Sequence, residues 1–269
     1  MAVLERFEHE GVEGLRVGRF RMGINTSVVV YRLGGTVIDT GPGNQWQFVR
    51  GFLREKPVER VLITHHHEDH GGNGARIKRD MNAQAFAPPS GVACLADGFP
   101  LHFYQRVFWG SPRKFLTEAL PDEMAIEDGL HVRAILTGGH APDMTCLLIP
   151  ERGWLFSGDM FVASTIRYLR ADEDLDGILA GLHLLLEHEF DTLFCAHRGV
   201  VHDGHTAIRA KLEGLEALRD RARGLERDGM SLREITRVLL GKEDMVAWIT
   251  QGHYSKSNLV RGLLATGDK

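Results

Sequence analysis

Residues 64–74 read THHHEDHGGNG, four histidines and two acids closed by a glycine cluster, directly after the apolar run VLI at 61–63. A short β-branched run of that kind reads as a buried strand, so the polar stretch is the loop that leaves it. His65 and His67 lie two residues apart and project to one side if extended geometry persists, while Asp69 and His70 follow after the chain turns. One loop therefore offers two separate sets of donors. Imidazole nitrogen and carboxylate oxygen are the donors that zinc, iron and manganese accept, and the lack of a nearby cysteine favours an open catalytic site over a closed structural one. A solvated loop or a tag-like histidine run is the alternative, disfavoured because tags sit at termini and do not alternate with acids. His66 and Glu68 alternate away from the donors and are assigned to the opposite, exposed face.

Outward from the loop the chain is strand-rich with intercalated helices. LRVGRFRMG, TSVVVYRLGG and TVIDTGPGN, between about residues 14 and 40, read as strands joined by hairpin-like glycine turns. QWQFVRGFLREKP at 45–57 has helical spacing and stops at Pro57, and ARIKRDMNAQAFAP gives a short helix and another strand. HVRAILT (131–137), TCLLIP (145–150), GWLFSGD (153–159) and DTLFCAH (191–197) are further strands, with a helix over roughly 173–189. Beyond 203 come the helical segments TAIRAKLEGLEALRDRARGLERDG, MSLREITRVLLG and SKSNLVRGLLA. The expected organisation is a β-rich catalytic core over 1–202 and a helical C-terminal subdomain over 203–269, divided at Asp203–Gly204.

Several of these strands lead into more donors. TGGHAPD places His140 after a strand and a glycine pair, WLFSGDM places Asp159 at a strand end, and LFCAHRG places His197 at another. Strand ends of a layered sheet protein converge on one rim, so loops distant in sequence can build one site there. With HHHEDH followed by His140, Asp159 and His197, the chain resembles the metallo-β-lactamase-fold hydrolase superfamily, whose ordered signature is HxHxDH, then His, Asp and His. The resemblance covers roughly residues 14–200.

That resemblance implies an α+β fold, an αββα sandwich with the site at one edge, here carrying a C-terminal helical appendage. It implies one metal held by His65, His67 and His140, a second held by Asp69, His70 and His197, and Asp159 bridging them, with a solvent hydroxide as the remaining bridge. Two Zn2+ ions are expected, and Mn2+ or Fe2+ would suit the same donors. Asp39, in VIDTG, is expected to support the site from behind; the alternative is a turn aspartate bonded to its own backbone. His67 stands where redox di-iron relatives carry an acid, which favours zinc and disfavours an oxidoreductase. Asp159 stands where the antibiotic-hydrolysing lactamases use cysteine, so antibiotic hydrolysis is not the expected task.

Composition narrows the field further. The chain has 269 residues, 43% hydrophobic and 25% charged, enough for a substantial core, and its net charge of −4 offers no global attraction for nucleic acid. The acidic N-terminal stretch MAVLERFEHEGVEG lacks the form of a secretory signal, and no stretch reaches the roughly 18 apolar residues of a membrane span. A cytoplasmic protein without a membrane partner is expected. Cys94, Cys146 and Cys195 form no CxxC and read as small buried hydrophobes.

The reaction class expected is hydrolysis by metal-activated water, with Asp69 or a metal-bound water as proton donor. GFPLHFYQRVFWGSPRKF at 98–115 reads either as a lid whose Phe99, Phe103, Tyr104, Phe108 and Trp109 wall an apolar pocket, or as an inserted helix packed on the core. Tyr168 is a candidate catalytic phenol that would polarise a substrate carbonyl, and Arg167 a partner for an anionic group; surface exposure is the alternative for both. Arg209, Lys211, Arg219, Arg221, Arg223 and Arg227 could form a phosphate-binding face, but interspersed acids favour a solvated amphipathic helix. The closing WITQGHYSKSNLVRGLL resembles the helical C-terminus of lactamase-beta-2-like members, some of which cleave RNA. Similar C-termini in ester- and thioester-hydrolysing members cover the site and shape a pocket or a dimer contact, which makes His253, Tyr254 and Lys256 residues to inspect. A dinuclear-zinc hydrolase of a small ester, thioester or lactone is the favoured function, with a small-molecule acyl substrate as the expected partner; a homodimer is left open by the sequence. A metal-dependent phosphodiesterase or endoribonuclease is the alternative, with nucleic acid as its partner. A non-catalytic sensor is disfavoured by the intact set of donors.

Overall fold

VVVYRL at 28–33 and TCLLI at 145–149 are buried along almost their whole length, which requires a covering layer on each face of the sheet that contains them. The computed structural model describes residues 3–20 and 23–265, and in it these runs lie inside two different sheets. The first sheet is seven-stranded in sequence order: β1 (Val3–His9), β2 (Val12–Gly18), β3 (Val28–Leu33), β4 (Thr36–Ile38), β5 (Arg60–Leu62), β6 (Gln84–Ala87) and β7 (Glu118–Ala119). The second contains β8 (Glu123–Ala125), β9 (His131–Leu136), β10 (Thr145–Ile149), β11 (Trp154–Gly158), β13 (Thr192–Cys195) and β14 (Gly199–Val201), ordered 14-13-11-10-9-8, and β12 (Leu169–Arg170) pairs separately with β15 (Tyr254–Ser255). The expected end of the second strand at Arg21 and Met22 lies outside the described residues.

Parallel neighbours need crossovers, and helices supply them. α1 (Trp46–Leu53) links β4 to β5, α2 (Gly74–Met81) links β5 to β6, and α5 (Leu175–Leu186) lies between β11 and β13. The parallel order brings the carboxyl ends of β4, β5, β11 and β13 to the rim where ligand-binding loops of such sheets sit. α3 (Val92–Asp97) and α4 (Phe103–Trp109) follow β6, and α6 (Gly204–Arg227), α7 (Leu232–Leu240), α8 (Met245–Ile249) and α9 (Lys256–Leu264) close the chain.

The buried apolar residues separate into three clusters that define the layers. One, with Tyr31, Leu62, Leu147, Trp154, Phe156 and Phe194, fills the space between the sheets. The second joins the outer face of the first sheet to α1 through α4, and the third joins the outer face of the second sheet to α5, α6, α7 and α9. The result is an αββα sandwich of α+β class, with the C-terminal helices sharing the apolar cluster of α5. No helix among the described residues is long and apolar enough to cross a membrane.

Local chemistry explains where the elements begin and end. α5 starts at Asp174, whose side chain accepts from the Asp176 N–H, and α7 starts at Ser231 in a reciprocal capping box with Glu234. Ser255 caps α9 by accepting from Asn258 N–H. β1 is absent from the reading of the sequence because LERFEHE is charged on its exposed face; charges on an edge strand discourage pairing with other chains.

Phe194 is fully buried, stacked on Phe156 at 4.6 Å between centroids and edge-on to Tyr31 and Trp154. Phe194→Ala is expected to lower stability by about 3–5 kcal/mol, read by denaturant unfolding.

Candidate metal centre

The loop after β5 is held rigidly before any donor is considered. Asn73 donates its side-chain amide to the carbonyls of Thr40, Gly41 and Pro42, and Thr40 donates through backbone and hydroxyl to His70 O. Gly72 is required by packing, since a Cβ there would lie 2.2 Å from Glu68 O. Asp39 adopts a left-handed φ of 57°, uncommon for a side chain of this type, and four hydrogen bonds fix it there. Its Oδ1 accepts from Thr64 N–H at 2.9 Å, both oxygens meet the Thr64 hydroxyl, and Oδ2 lies 2.7 Å from His70 Nδ1. Asp39 thus stands behind His70, as the sequence suggested.

Three more of the histidines, His140, His197 and His65, are likewise pinned through an outward nitrogen. His140 Nδ1 bonds Glu173 Oε1 at 2.6 Å, His197 Nδ1 donates to Ser27 O at 2.6 Å, and His65 Nδ1 lies 3.1 Å from the Thr64 hydroxyl. The other nitrogens are turned to a common interior. His67 Nδ1 is 2.9 Å from His65 Nε2 and 3.0 Å from His140 Nε2. On the other side, Asp159 Oδ1 lies 3.3 Å from His70 Nε2 and 3.2 Å from His197 Nε2, while its Oδ2 lies 3.4 Å from His140 Nε2. Asp69 Oδ2 is 3.7 Å from His197 Nε2. The structure therefore brings all seven expected residues together. His65, His67 and His140 form one donor group, Asp69, His70 and His197 another, and Asp159 joins His65 and His70 between them; within each group the donor atoms lie within 4.8 Å.

The electrostatics suit a cation. Burial and then the neighbouring His70 push His65 well below the usual imidazole range, and burial and then Arg170 do the same to His67, which keeps both neutral as metal ligands must be. Burial would lower His70 as well, but Asp39, Asp159 and Asp69 outweigh it and hold it well above. Asp159 feels burial in the opposite sense and is nevertheless held well below the carboxylate range by His197, His70 and His140. Asp159 Oδ1 and His70 Nε2 are both buried without a hydrogen-bond partner, and native proteins rarely leave such atoms so. A divalent ion fits this donor set.

Some expectations need correction. Glu68 is buried, not exposed, and burial followed by the Asp69 charge raises its carboxyl to about 7. His66 is partly buried, with its N–H and Nδ1 bonded to Asp143 at 2.8 and 2.7 Å. Tyr168 lines a cavity with His140 and Asp159, but its hydroxyl donates to Asp244 and not to the donor cluster. Lys211 leaves the expected basic face: it is buried beneath the same cavity, with Nζ donating to Met160 O at 2.5 Å. Cys146 and Cys195 are buried as expected, and Cys94 is partly exposed.

Two cavities flank the cluster. The first, about 260 Å3, has Met160, Val162, Ala163, Ile166, Leu169 and Ile178 as apolar walls and opens on His140 and Asp159. The second, about 280 Å3, is bounded by His66, His67, Phe99, Gln105, Arg170 and Asp172. The aromatic segment serves both readings made of it. Trp109 and Phe115 are buried in the outer core of the first sheet, whereas Phe99 lies edge-on to His66 at 4.7 Å and Tyr104 bonds His253. Arg170 and Glu173, absent from the sequence reading, enter through β12 and the turn that follows it.

The model of the family described as metallo-beta-lactamase superfamily matches residues 19–231. A lactamase-like protein, GME11357, of Pestalotiopsis microspora is 28% identical over 75% of this chain and 58% of its own length. An atrochrysone carboxyl ACP thioesterase of Claviceps purpurea is 26% identical over 75% of this chain and 59% of its own length. The chain spans less than two thirds of these relatives. Among solved structures, a beta-lactamase domain protein of Burkholderia ambifaria superposes with a TM-score of 0.71 at 19% identity, covering 97% of this chain and 88% of that one; the likeness is one of fold.

Zinc is expected to raise the thermal unfolding midpoint of the wild type, by about 3 kcal/mol of stability when free zinc exceeds its dissociation constant about a hundredfold, and to raise that of a His65→Ala/Asp159→Ala double variant less, since this variant keeps only the Asp69, His70 and His197 group whole. Trp109→Ala is expected to cost about 3–5 kcal/mol in denaturant unfolding, as for a core aromatic.

Proposed function

The chain belongs to the metallo-beta-lactamase superfamily, and from that premise we propose that it is a metal-dependent hydrolase of acyl thioesters. His65, His67 and His140 would hold one zinc ion, Asp69, His70 and His197 a second, and Asp159 would lie between them. Bound there, the ions would supply activated water, with a pKa lowered towards about 7, and polarisation of the acyl carbonyl. Water adds to the acyl carbon, the C–S bond breaks, and the products are a carboxylate and a thiol.

The observation that carries this reading is the apolar cavity that opens on His140 and Asp159. Its walls would hold the acyl chain, exclude water from it and present the carbonyl end to the donor cluster. Asp69, whose carboxylate faces His197, is the acid–base group at hand there. A thiolate, being a weaker base than an alkoxide, leaves more readily as its anion, so the reaction asks less of a proton donor than ester cleavage would. That suits a site whose nearest expected phenol, Tyr168, is committed to Asp244. The thioesterase named among the relatives supports the same class. Of the basic residues considered for nucleic acid, Lys211 is buried and Arg219 is paired with Asp176, which weakens the phosphodiesterase reading.

Zinc-loaded protein is expected to hydrolyse octanoyl-N-acetylcysteamine, with activity abolished by a chelator and reduced about a thousandfold or more in Asp159→Ala. Cleavage that survives chelation, or cleavage of RNA alone, would sink the proposal. Ile166→Trp should shift preference from octanoyl to acetyl thioesters in steady-state kinetics, since its side chain walls the cavity.

A further inference from the structure

Arg170 is a buried cation in contact with the donor cluster, only 8% exposed. Asp172 holds one edge of its guanidinium in a fork, with Nε 2.9 Å from Oδ1 and Nη2 2.7 Å from Oδ2. Behind the fork, His253 Nε2 lies 3.2 Å from Asp172 Oδ1, and the Tyr104 hydroxyl lies 2.7 Å from His253 Nδ1. The Arg170 backbone N–H donates to Glu173 Oε2 at 2.7 Å, and pairing of β12 with β15 fixes the strand itself. The guanidinium therefore has one defined placement. Its remaining end, Nη1, lies 3.4 Å from His67 Nδ1.

His67 Nδ1 is also the nitrogen that faces His65 and His140, the atom a metal would use. A lone pair given to a cation is no longer offered to Arg170, so Nη1 would be left as an unpaired donor beside a second positive charge. Like charges in a buried site repel strongly, and a fixed arrangement of two cations is relieved by an anionic oxygen between them. Resting on the thioesterase reading, we infer that Arg170 Nη1 contacts the acyl oxygen of the substrate: the carbonyl oxygen as it gains negative charge, and then the carboxylate of the released acid. Charge-assisted guanidinium–oxygen bonds are stronger than neutral ones, and a donor already held in place needs no reorganisation when the charge develops. The second cavity, bounded by His66, His67, Phe99, Gln105, Arg170 and Asp172, gives that oxygen room beside His67, with the Asp172 carboxylate engaged by the other edge of the guanidinium.

The test is calorimetric titration of zinc-loaded protein with sodium octanoate, with 1-octanol as an uncharged probe of the same chain length. Arg170→Met is expected to weaken octanoate about tenfold or more with octanol binding and zinc content unchanged, and Arg170→Lys, which keeps the charge and loses the fork, to fall between. Equal octanoate affinity in wild type and Arg170→Met overturns the inference. So does an absence of octanoate binding in the wild type, a parallel loss of octanol binding, or a weakening that tracks lost zinc. Octanoyl thioester turnover in the same samples separates the two readings. No turnover by a wild type that binds octanoate through Arg170 removes the thioesterase reading alone, whereas turnover with octanoate binding indifferent to Arg170 removes this inference alone.

Discussion

A carboxylate taken out of water needs compensating groups close by, and Asp159 is faced from three directions by the imidazoles of His70, His140 and His197. The three imidazoles come from three separate stretches of chain, the loops after β5, β9 and β13. None of them can drift without exposing that carboxylate to an uncompensated interior. The layering of the whole sandwich serves this constraint, because only parallel strands with helical crossovers bring the carboxyl ends of β4, β5, β11 and β13 to one rim. The aromatic stack between the sheets then fixes how far apart those ends stand.

Orientation is settled one shell further out. Asp39, Glu173, Ser27 and Thr64 each engage the outward nitrogen of a histidine, so the inward nitrogen is chosen without reference to any bound group. The glycines of the loops follow from the same requirement. At Gly139, φ is +75° and a Cβ would lie 2.3 Å from Ile178 N; a larger residue would push the His140 loop off α5 and turn the ring away from His67. Preorganisation of this kind is what a site needs if charge is to be stabilised without rearrangement.

How much of this could be read from the chain depends on the range of the interaction. HHHEDH declares itself because its donors are local, and the strands around it declare themselves because burial on both faces demands continuous apolar runs. Glu68 was misplaced because strand alternation fails once the chain turns after His65, and the turn carries its side chain inward. The hydroxyl partner of Tyr168, Asp244, was not legible because it lies far along the chain. Lys211 did leave a trace. With Ile208, Leu212 and Leu215 it falls at the spacing of one helix face, and that face is the buried one, so its charge set it among the solvated residues while its position did not.

The segment after Asp159 bears on what the site can select. It carries no metal donor once past that residue, yet it supplies Ile166 and Leu169 to the apolar cavity, Tyr168 to Asp244, and Arg170 to the edge of the donor cluster. It is held through β12 by β15, which belongs to the C-terminal region, and by His253 next to β15. The C-terminal region therefore reaches the site through this two-stranded ribbon. A change in α9 that shifted Ser255 would move Leu169 and Arg170 together, and through the Arg170–Glu173 hydrogen bond it would reach His140 as well, while Asp39 and Ser27 hold His70 and His197 from elsewhere. The rim of the sandwich and the ribbon that crosses it are thus coupled at one point, Glu173, which bonds Arg170 on one side and His140 on the other.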